Sequence, residues 1–167
     1  MKPYVPSCEE EARYLAAYDP SKYKNPAVTA DIALFGREEE ALFLLLIRRG
    51  GYPYKGYFAL PGGFIHISES VPAGAARELL EETGYKAGSM EFLFKIAPNA
   101  SNCTSYAQCY LARDVFSAAA QQLDDTEALE VVEMEGEEVK RFLREGRFEQ
   151  AVHVAALYRA AELGALG

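Results

Sequence analysis

The sequence has no tryptophan and only two histidines. Its three cysteines, Cys8, Cys103 and Cys109, form no C-x-x-C pair. That supply of soft ligands argues against a zinc site. An odd cysteine count, behind an N-terminus (Met-Lys-Pro-Tyr-Val-Pro-Ser) too polar for a signal peptide, points to a reducing, cytoplasmic setting. Basic residues are in the minority, 17 Lys and Arg against 25 Asp and Glu, for a net charge of −8. Such a balance argues against gripping nucleic acid by its phosphates, which takes a positive surface. It leaves anionic small molecules open, because a bound divalent cation inverts the local charge. No apolar run approaches the roughly 20 residues of a membrane span. Internal repeats, low-complexity tracts and an interdomain linker are also missing.

What is present is material for one domain. Half of the 167 residues are hydrophobic, enough for a sizeable core. Four prolines fall within the first 26 residues, around an acidic amphipathic piece at Glu9–Tyr18 that reads as a short helix. Residues 1–24 are expected to be an extension and 25–167 the main domain. Ala27–Phe35 reads as a strand whose one charge is Asp31. Leu42–Ile47, an unbroken apolar run, reads as a second strand buried on both faces, making a hairpin with the first. A loop follows over Arg48–Lys55, then a short strand at Phe58–Leu60 running into Pro61-Gly62-Gly63, where two glycines imply a sharp turn or a close approach.

The next helix carries its own boundary signals. Ser70 is a plausible N-cap, Pro72 falls in the first turn, and Gly84 stands where a C-terminal glycine cap belongs. Strands are expected at about Met90–Ala97 and Tyr106–Ala112, joined by the turn-rich loop 98–104. Phe116–Leu123 reads as a helical turn or a loop, Glu130–Met134 as a last strand, and Glu137–Arg144 and Phe148–Leu163 as two closing helices.

Within the central helix, Glu78 lies three residues before Glu81 and four before Glu82, so the three carboxylates share one stripe. Like charges at that spacing repel. Arg77, four residues before Glu81, offsets only part of the repulsion, and the remainder calls for cations. Clustered carboxylates are hard oxygen donors that select magnesium, manganese or calcium, ions suited to phosphate chemistry. A solvated acidic helix face is the bland alternative for Glu-Leu-Leu-Glu-Glu taken alone.

The wider string decides against it. Gly63, Glu69, Arg77, Glu78, Glu81, Glu82 and Gly84 match all seven fixed residues of G-x5-E-x7-R-E-U-x-E-E-x-G-U, a coincidence on the order of one in a million for a chain this long. This resembles the Nudix box. Tyr85 is the one departure, a bulky aromatic where an aliphatic residue is usual. Leu60-Pro61-Gly62 before the box, Asn25–Asp31 and Leu44–Arg49 resemble ADP-ribose pyrophosphatase-like Nudix proteins, and the likeness covers about residues 22 to 163.

The resemblance implies an α+β fold, an α/β/α sandwich with a mixed central sheet flanked by helices. It implies hydrolysis of a nucleoside diphosphate linked to another moiety, with Mg2+ as cofactor and Mn2+ as the other option. Glu78 and Glu82 are then the principal metal ligands, with Glu81 binding directly or through water and the Gly62 carbonyl as a further ligand. Glu69 closes the loop onto the helix and is placed for a second metal. Arg77 belongs to the catalytic set by orienting the glutamates. A homodimer is implied as well, with Tyr23 in the contact.

Substrate choice is written less clearly. Pro98, thirteen residues after Tyr85, is close to where ADP-ribose hydrolases carry a proline. The S-Q-P-W-P of NADH pyrophosphatases and the arginine-rich signature of coenzyme A hydrolases are both missing. ADP-ribose or a related nucleotide sugar is therefore favoured. Glu127 is the candidate base, with Glu130 as its backup and a solvated acidic loop as the alternative. Arg48 and Arg49 are candidates for phosphate contact, and one of the two is expected to point away. Tyr52, Tyr54 and Phe64 are candidates for stacking on a purine. Cys103 and Cys109 read as buried hydrophobes.

Two other functions fit part of the pattern. A non-catalytic nucleotide sensor, like the Nudix-related transcriptional regulators of NAD metabolism, is disfavoured by the intact acidic set and by the short stretch after the last helix. A nucleoside triphosphate sanitiser or RNA-cap hydrolase shares the same box.

Overall fold

The computed structural model describes residues 5–6, 8–17, 28–38, 41–52, 54–101, 104–123 and 128–166. Within these residues seven strands form one mixed sheet: β1 (Val28–Glu38), β2 (Ala41–Arg49), β3 (Phe58–Ala59), β4 (Gly62–Phe64), β5 (Tyr85–Ile96), β6 (Tyr106–Ser117) and β7 (Leu129–Glu135). Among the described residues, four helices accompany it: α1 (Glu9–Ala17), α2 (Val71–Thr83), α3 (Gly136–Arg144) and α4 (Ala151–Glu162). β1 and β6 run parallel, and every other pairing among the described residues is antiparallel.

Two apolar layers sandwich the sheet. Ala30, Ile32, Leu45, Tyr110 and Ala112 pack under α2 through Ala75 and Leu79. Ala33, Leu44, Leu46, Cys109 and Leu111 pack on the opposite face against Val139 and Phe142 of α3 and Val152, Ala156 and Leu157 of α4. The expected α/β/α architecture is therefore present, and Leu44–Ile47 is buried throughout, as a strand covered on both faces must be.

One break in the sheet places the site. β6 occupies one edge of β1 from Val28 to Phe35. On the other edge β1 is shared: its far half, Leu34–Glu38, pairs β2, while Thr29–Asp31 pairs β4. β1 and β2 thus part at their open end, and the glycine strand β4 fills the gap. Of the sharp turn or close approach expected at Gly62-Gly63, the structure shows the close approach, within a three-residue strand. Its backbone runs so close to β1 that a Cβ on Gly62 would lie 2.1 Å from the Ala30 carbonyl oxygen, and Gly62 takes φ +149°. Only glycine meets both conditions.

α2 starts and stops where its signals stand. Ser70 accepts from the Ala73 N–H, and Gly84, at φ +76°, closes the helix with its own N–H on the Leu80 carbonyl. Gly74, worth about 1 kcal/mol less than alanine to a helix interior, sits where a Cβ would meet Ile65 at 2.6 Å and the Glu69 carboxylate at 2.8 Å. The loop from Ile65 to Glu69 closes onto the helix through that notch. Tyr85 accommodates the unusual aromatic by packing beside the α2 layer and donating its hydroxyl to Glu133 at 2.9 Å. Both long strands exceed their expected bounds: β5 begins at Tyr85 and β6 continues to Ser117, because Lys86 and Ala87 pair with Phe116 and Val115. Residues 118–123 form a loop that caps the end of α2, with Ala118 and Ala119 N–H on the Gly84 carbonyl and Gln121 Nε2 on that of Glu82.

Candidate active site

Arg77 is the hub of the acidic group. Its Nη2 donates to Glu69 Oε1 at 2.8 Å and its Nε to Glu69 Oε2 at 3.2 Å, a two-pronged grip. Nη1 reaches Glu81 Oε2 at 2.8 Å and Glu78 Oε1 at 3.0 Å, and Nη2 also reaches the Phe64 carbonyl at 3.1 Å. One guanidinium therefore ties the loop residue Glu69, the strand β4 and two turns of α2 together. Lysine, a point charge, has no such fork. Glu82 is held differently. It is buried, and its Oε2 accepts from the Gly62 N–H at 2.7 Å.

The electrostatics follow from these contacts. Glu69 is held down at about 2 from 4.5, first by the Arg77 hydrogen bonds and then by the His66 backbone N–H, while Arg77 is raised chiefly by Glu69. A carboxyl depressed in the folded state stabilises the fold above its unfolded pKa and loses that contribution as pH falls through the folded value. Between pH about 4.5 and about 2, the wild type is expected to lose stability more steeply than Glu69→Gln; urea titrations at pH 6, 4 and 3 measure the difference. Equal slopes for the two proteins would overturn the Arg77–Glu69 assignment.

Among the described residues, no three carboxylate, imidazole or thiol groups are gathered as they would be around an ion. Arg77 and the Gly62 N–H hold the oxygens instead. The donor set still suits a hard divalent cation: three carboxylates converge on Arg77, and a fourth, Glu82, is held by the glycine strand beside them. Gly63 keeps the space clear, since a Cβ there would stand 2.6 Å from Glu78 Oε2. Gly63→Ala is expected to displace the Glu78 carboxylate, not the backbone. Activity should fall by more than ~10-fold, as misplacement of about 1 Å can cost 100-fold, with little change in melting temperature.

A second feature lies at the open end of the sheet, where β2 and β5 end and β1 and β6 begin. A cavity of about 420 Å³ is lined by Arg49, Tyr54, Pro98 and residues 149–152 at the start of α4. The two candidate phosphate arginines separate here. Arg49 faces the cavity, whereas Arg48 pairs with Glu130 at 3.0 Å, opposite it on β7. Tyr54 lines the cavity with φ +65°. Tyr52 is not among the lining residues: its hydroxyl pairs with Cys8 Sγ at 3.1 Å, and Lys55 lies over its ring. Phe64 is exposed. Glu127, Tyr23 and Cys103 lie outside the described residues. Cys109 is buried, and its thiol is pushed up to about 12 by burial and then by Asp31.

The sequence reading passed over one pair. His153 of α4, 3% exposed, sets Nε2 3.0 Å from Asp31 Oδ1. A lone charge in an apolar strand was the available signal.

Residues 25–156 match the family model described as NUDIX domain. That span includes the whole Arg77 cluster, the glycine strand and most of the sandwich. The chain belongs to the Nudix family. Among curated relatives, it is 37% identical over 129 residues to the ADPR responsive transcriptional repressor NtrR of Acinetobacter baylyi, covering 75% of this chain and 52% of that protein. It is 47% identical over 62 residues to an ADP-ribose pyrophosphatase of Methanocaldococcus jannaschii, covering 37% of this chain and 34% of that protein. The chain thus spans about half the length of the first and a third of the second. Among solved structures, the NUDIX domain of Shewanella oneidensis NrtR complexed with ADP ribose superposes with TM-score 0.67 at 29% identity, covering 92% of this chain and 97% of that one. An ADP compounds hydrolase superposes with TM-score 0.66 at 26% identity, covering 81% and 72%. No helix among the described residues is long and apolar enough to cross a membrane.

Proposed function

We propose that this Nudix protein hydrolyses a nucleoside diphosphate linked to another moiety, ADP-ribose or a related nucleotide sugar, by attack of water on the pyrophosphate. The observation that carries the reading is the Arg77 cluster: every acidic residue of the box is present, and Arg77, Gly62 and Gly63 hold the set together. Glu78, Glu81, Glu82 and the Gly62 carbonyl are assigned to a Mg2+ or Mn2+ ion, with Glu69 beside them. Such an ion supplies neutralisation of phosphate charge and a more acidic bound water.

The chain's own residues divide the remaining work. Arg77 keeps the carboxylates from splaying apart. Glu81, at 40% of its side chain the most exposed of the three helix glutamates, completes the acidic stripe at its solvent side. Glu127, the candidate base from the sequence, lies outside the described residues, and its backup Glu130 is held by Arg48. Arg49 answers a phosphate or a ribose hydroxyl in the cavity, and Tyr54 and Pro98 give it an apolar wall for the nucleoside or sugar. The reading carries a reducing, cytoplasmic setting and a homodimer, which sedimentation at graded concentration tests.

The likeness to ADP-ribose-responsive regulators supports a second reading, a sensor that binds ADP-ribose without turning it over. The two part in one experiment. ADP-ribose, NADH, nucleotide sugars, dinucleoside polyphosphates and nucleoside triphosphates are incubated with Mg2+, and products and binding are both measured. Release of AMP from ADP-ribose supports the hydrolase. Saturable binding of ADP-ribose with no turnover of any compound supports the sensor, and preferred cleavage of triphosphates replaces both with a sanitising role.

A further inference from the structure

The pair between the buried His153 and the half-buried Asp31 has no part in the reading above. Its surroundings are apolar: Val152, Ala156, Leu157 and Ala160 share the helix, and all are buried. His153 Nδ1 has no hydrogen-bond partner among the described residues. A buried polar atom left so costs stability, so leucine would suit the packing of this helix face better. The pair must contribute something other than cohesion.

Its position says what. Ala30 and Ile32 face α2, so the Asp31 side chain between them turns to the opposite face, toward α4. The backbone of Asp31 is at the same time the register partner of Gly62. The contact is tight: a Cβ on Gly62 would come 2.8 Å from Asp31 Cα, and the Ile32 N–H donates to the Pro61 carbonyl at 2.9 Å. Gly62 in turn donates to Glu82 at 2.7 Å. On its other edge Asp31 is in register with Cys109, a buried thiol that carries no charge to hold it. The chain of contacts runs His153, Asp31, Gly62, Glu82.

We propose that His153 and Asp31 are positioning residues: they pin β1 to α4 at the residue against which Gly62 is stacked, and so fix the distance between the Gly62 backbone and Glu82. The catalytic consequence rests on the hydrolase reading; the geometric one does not. Because residues 149–152, leading into the same helix, wall the cavity, the pair also sets that wall against the acidic cluster.

The test compares His153→Leu, His153→Gln and His153→Asn. Glutamine places an amide nitrogen near the position of Nε2 and reaches Asp31; asparagine is as polar but too short. Three quantities are read: exchange of the Gly62 amide by NMR, Mn2+ affinity from the EPR signal of the free ion, and kcat and KM with Mg2+ and the best substrate of the panel. Expected are faster Gly62 exchange in the Leu and Asn variants, with Mn2+ affinity and kcat lowered roughly 10- to 100-fold, as for residues that orient metal ligands. KM should stay within about 2-fold, and His153→Gln should return all three toward wild type. Should the Leu variant fail to fold, the Gln and Asn variants, matched in polarity, carry the comparison. Wild-type Gly62 exchange in His153→Asn, or an equal defect in the Gln and Asn variants, overturns the proposal. A wild type that neither binds Mn2+ nor turns over substrate overturns the hydrolase reading and leaves the exchange measurement to decide the pair.

Discussion

Glu82→Gln is expected to abolish hydrolysis while the protein stays folded. Glu82 is buried, and one of its oxygens accepts from the Gly62 N–H at 2.7 Å. A glutamine amide oxygen accepts the same hydrogen bond, so the loop keeps its anchor. What the variant lacks is charge. A buried carboxylate is costly unless a cation or several donors compensate it, and Glu78 and Glu81 lie on the same helical stripe. Removing one of three neighbouring negative charges relieves repulsion, so the melting temperature without divalent ions should hold or rise. Activity should respond in the opposite direction. Residues that merely orient metal ligands cost ~10- to 100-fold when replaced, so the loss of an assigned ligand should exceed ~100-fold in kcat. Steady-state rates at saturating Mg2+ beside thermal melts in EDTA separate the two effects. Near wild-type turnover in a folded Glu82→Gln protein would remove Glu82 from the metal site.

The contrast between Glu82 and its neighbours was partly legible in the sequence. Spacing of three and four residues put the carboxylates on one face, and Ser70 and Gly84 marked the ends of the helix, because caps and periodicity are local properties. The same locality explains what could not be read. β4 is Gly-Gly-Phe, with no alternation to announce a strand; it is one because β1 and β2 part and leave an edge to fill. The first residues of β5, Tyr-Lys-Ala-Gly, have little strand character and pair because β6 runs on beside them. That Arg49 and not Arg48 faces the cavity depends on Glu130, which β7 brings opposite Arg48 from 82 residues away. Asp31 and His153 are 122 residues apart. Their approach needs both the strand order and the packing of α4, and a lone charge in an apolar strand gives only half of that information.

Arg77→Ala tests the remaining member of the set, and its effect should fall first on stability. The side chain is 23% exposed and engages Glu69, Glu78 and Glu81 together with the Phe64 carbonyl. Alanine leaves three carboxylates facing one another with no counter-charge. Breaking a fully buried ion pair costs about 3–5 kcal/mol; partial exposure puts this cluster at the lower end, about 3 kcal/mol. For a chain of this length each kcal/mol moves the melting temperature by about 2–4 °C, so a fall of roughly 6–12 °C is expected in EDTA. Arg77→Lys should lie between, because it restores the charge without the fork that grips both oxygens of Glu69. The decisive comparison adds Mg2+. With the guanidinium gone, a divalent cation is the remaining way to neutralise the cluster. Mg2+ should therefore raise the melting temperature of Arg77→Ala by more than it raises that of the wild type, even though kcat falls in the variant. A protein with the same melting temperature as wild type in EDTA, or one on which Mg2+ acts no more strongly, would mean that Arg77 does not hold the acidic cluster together. A larger Mg2+ effect with kcat unchanged would keep its structural role and remove it from the catalytic set.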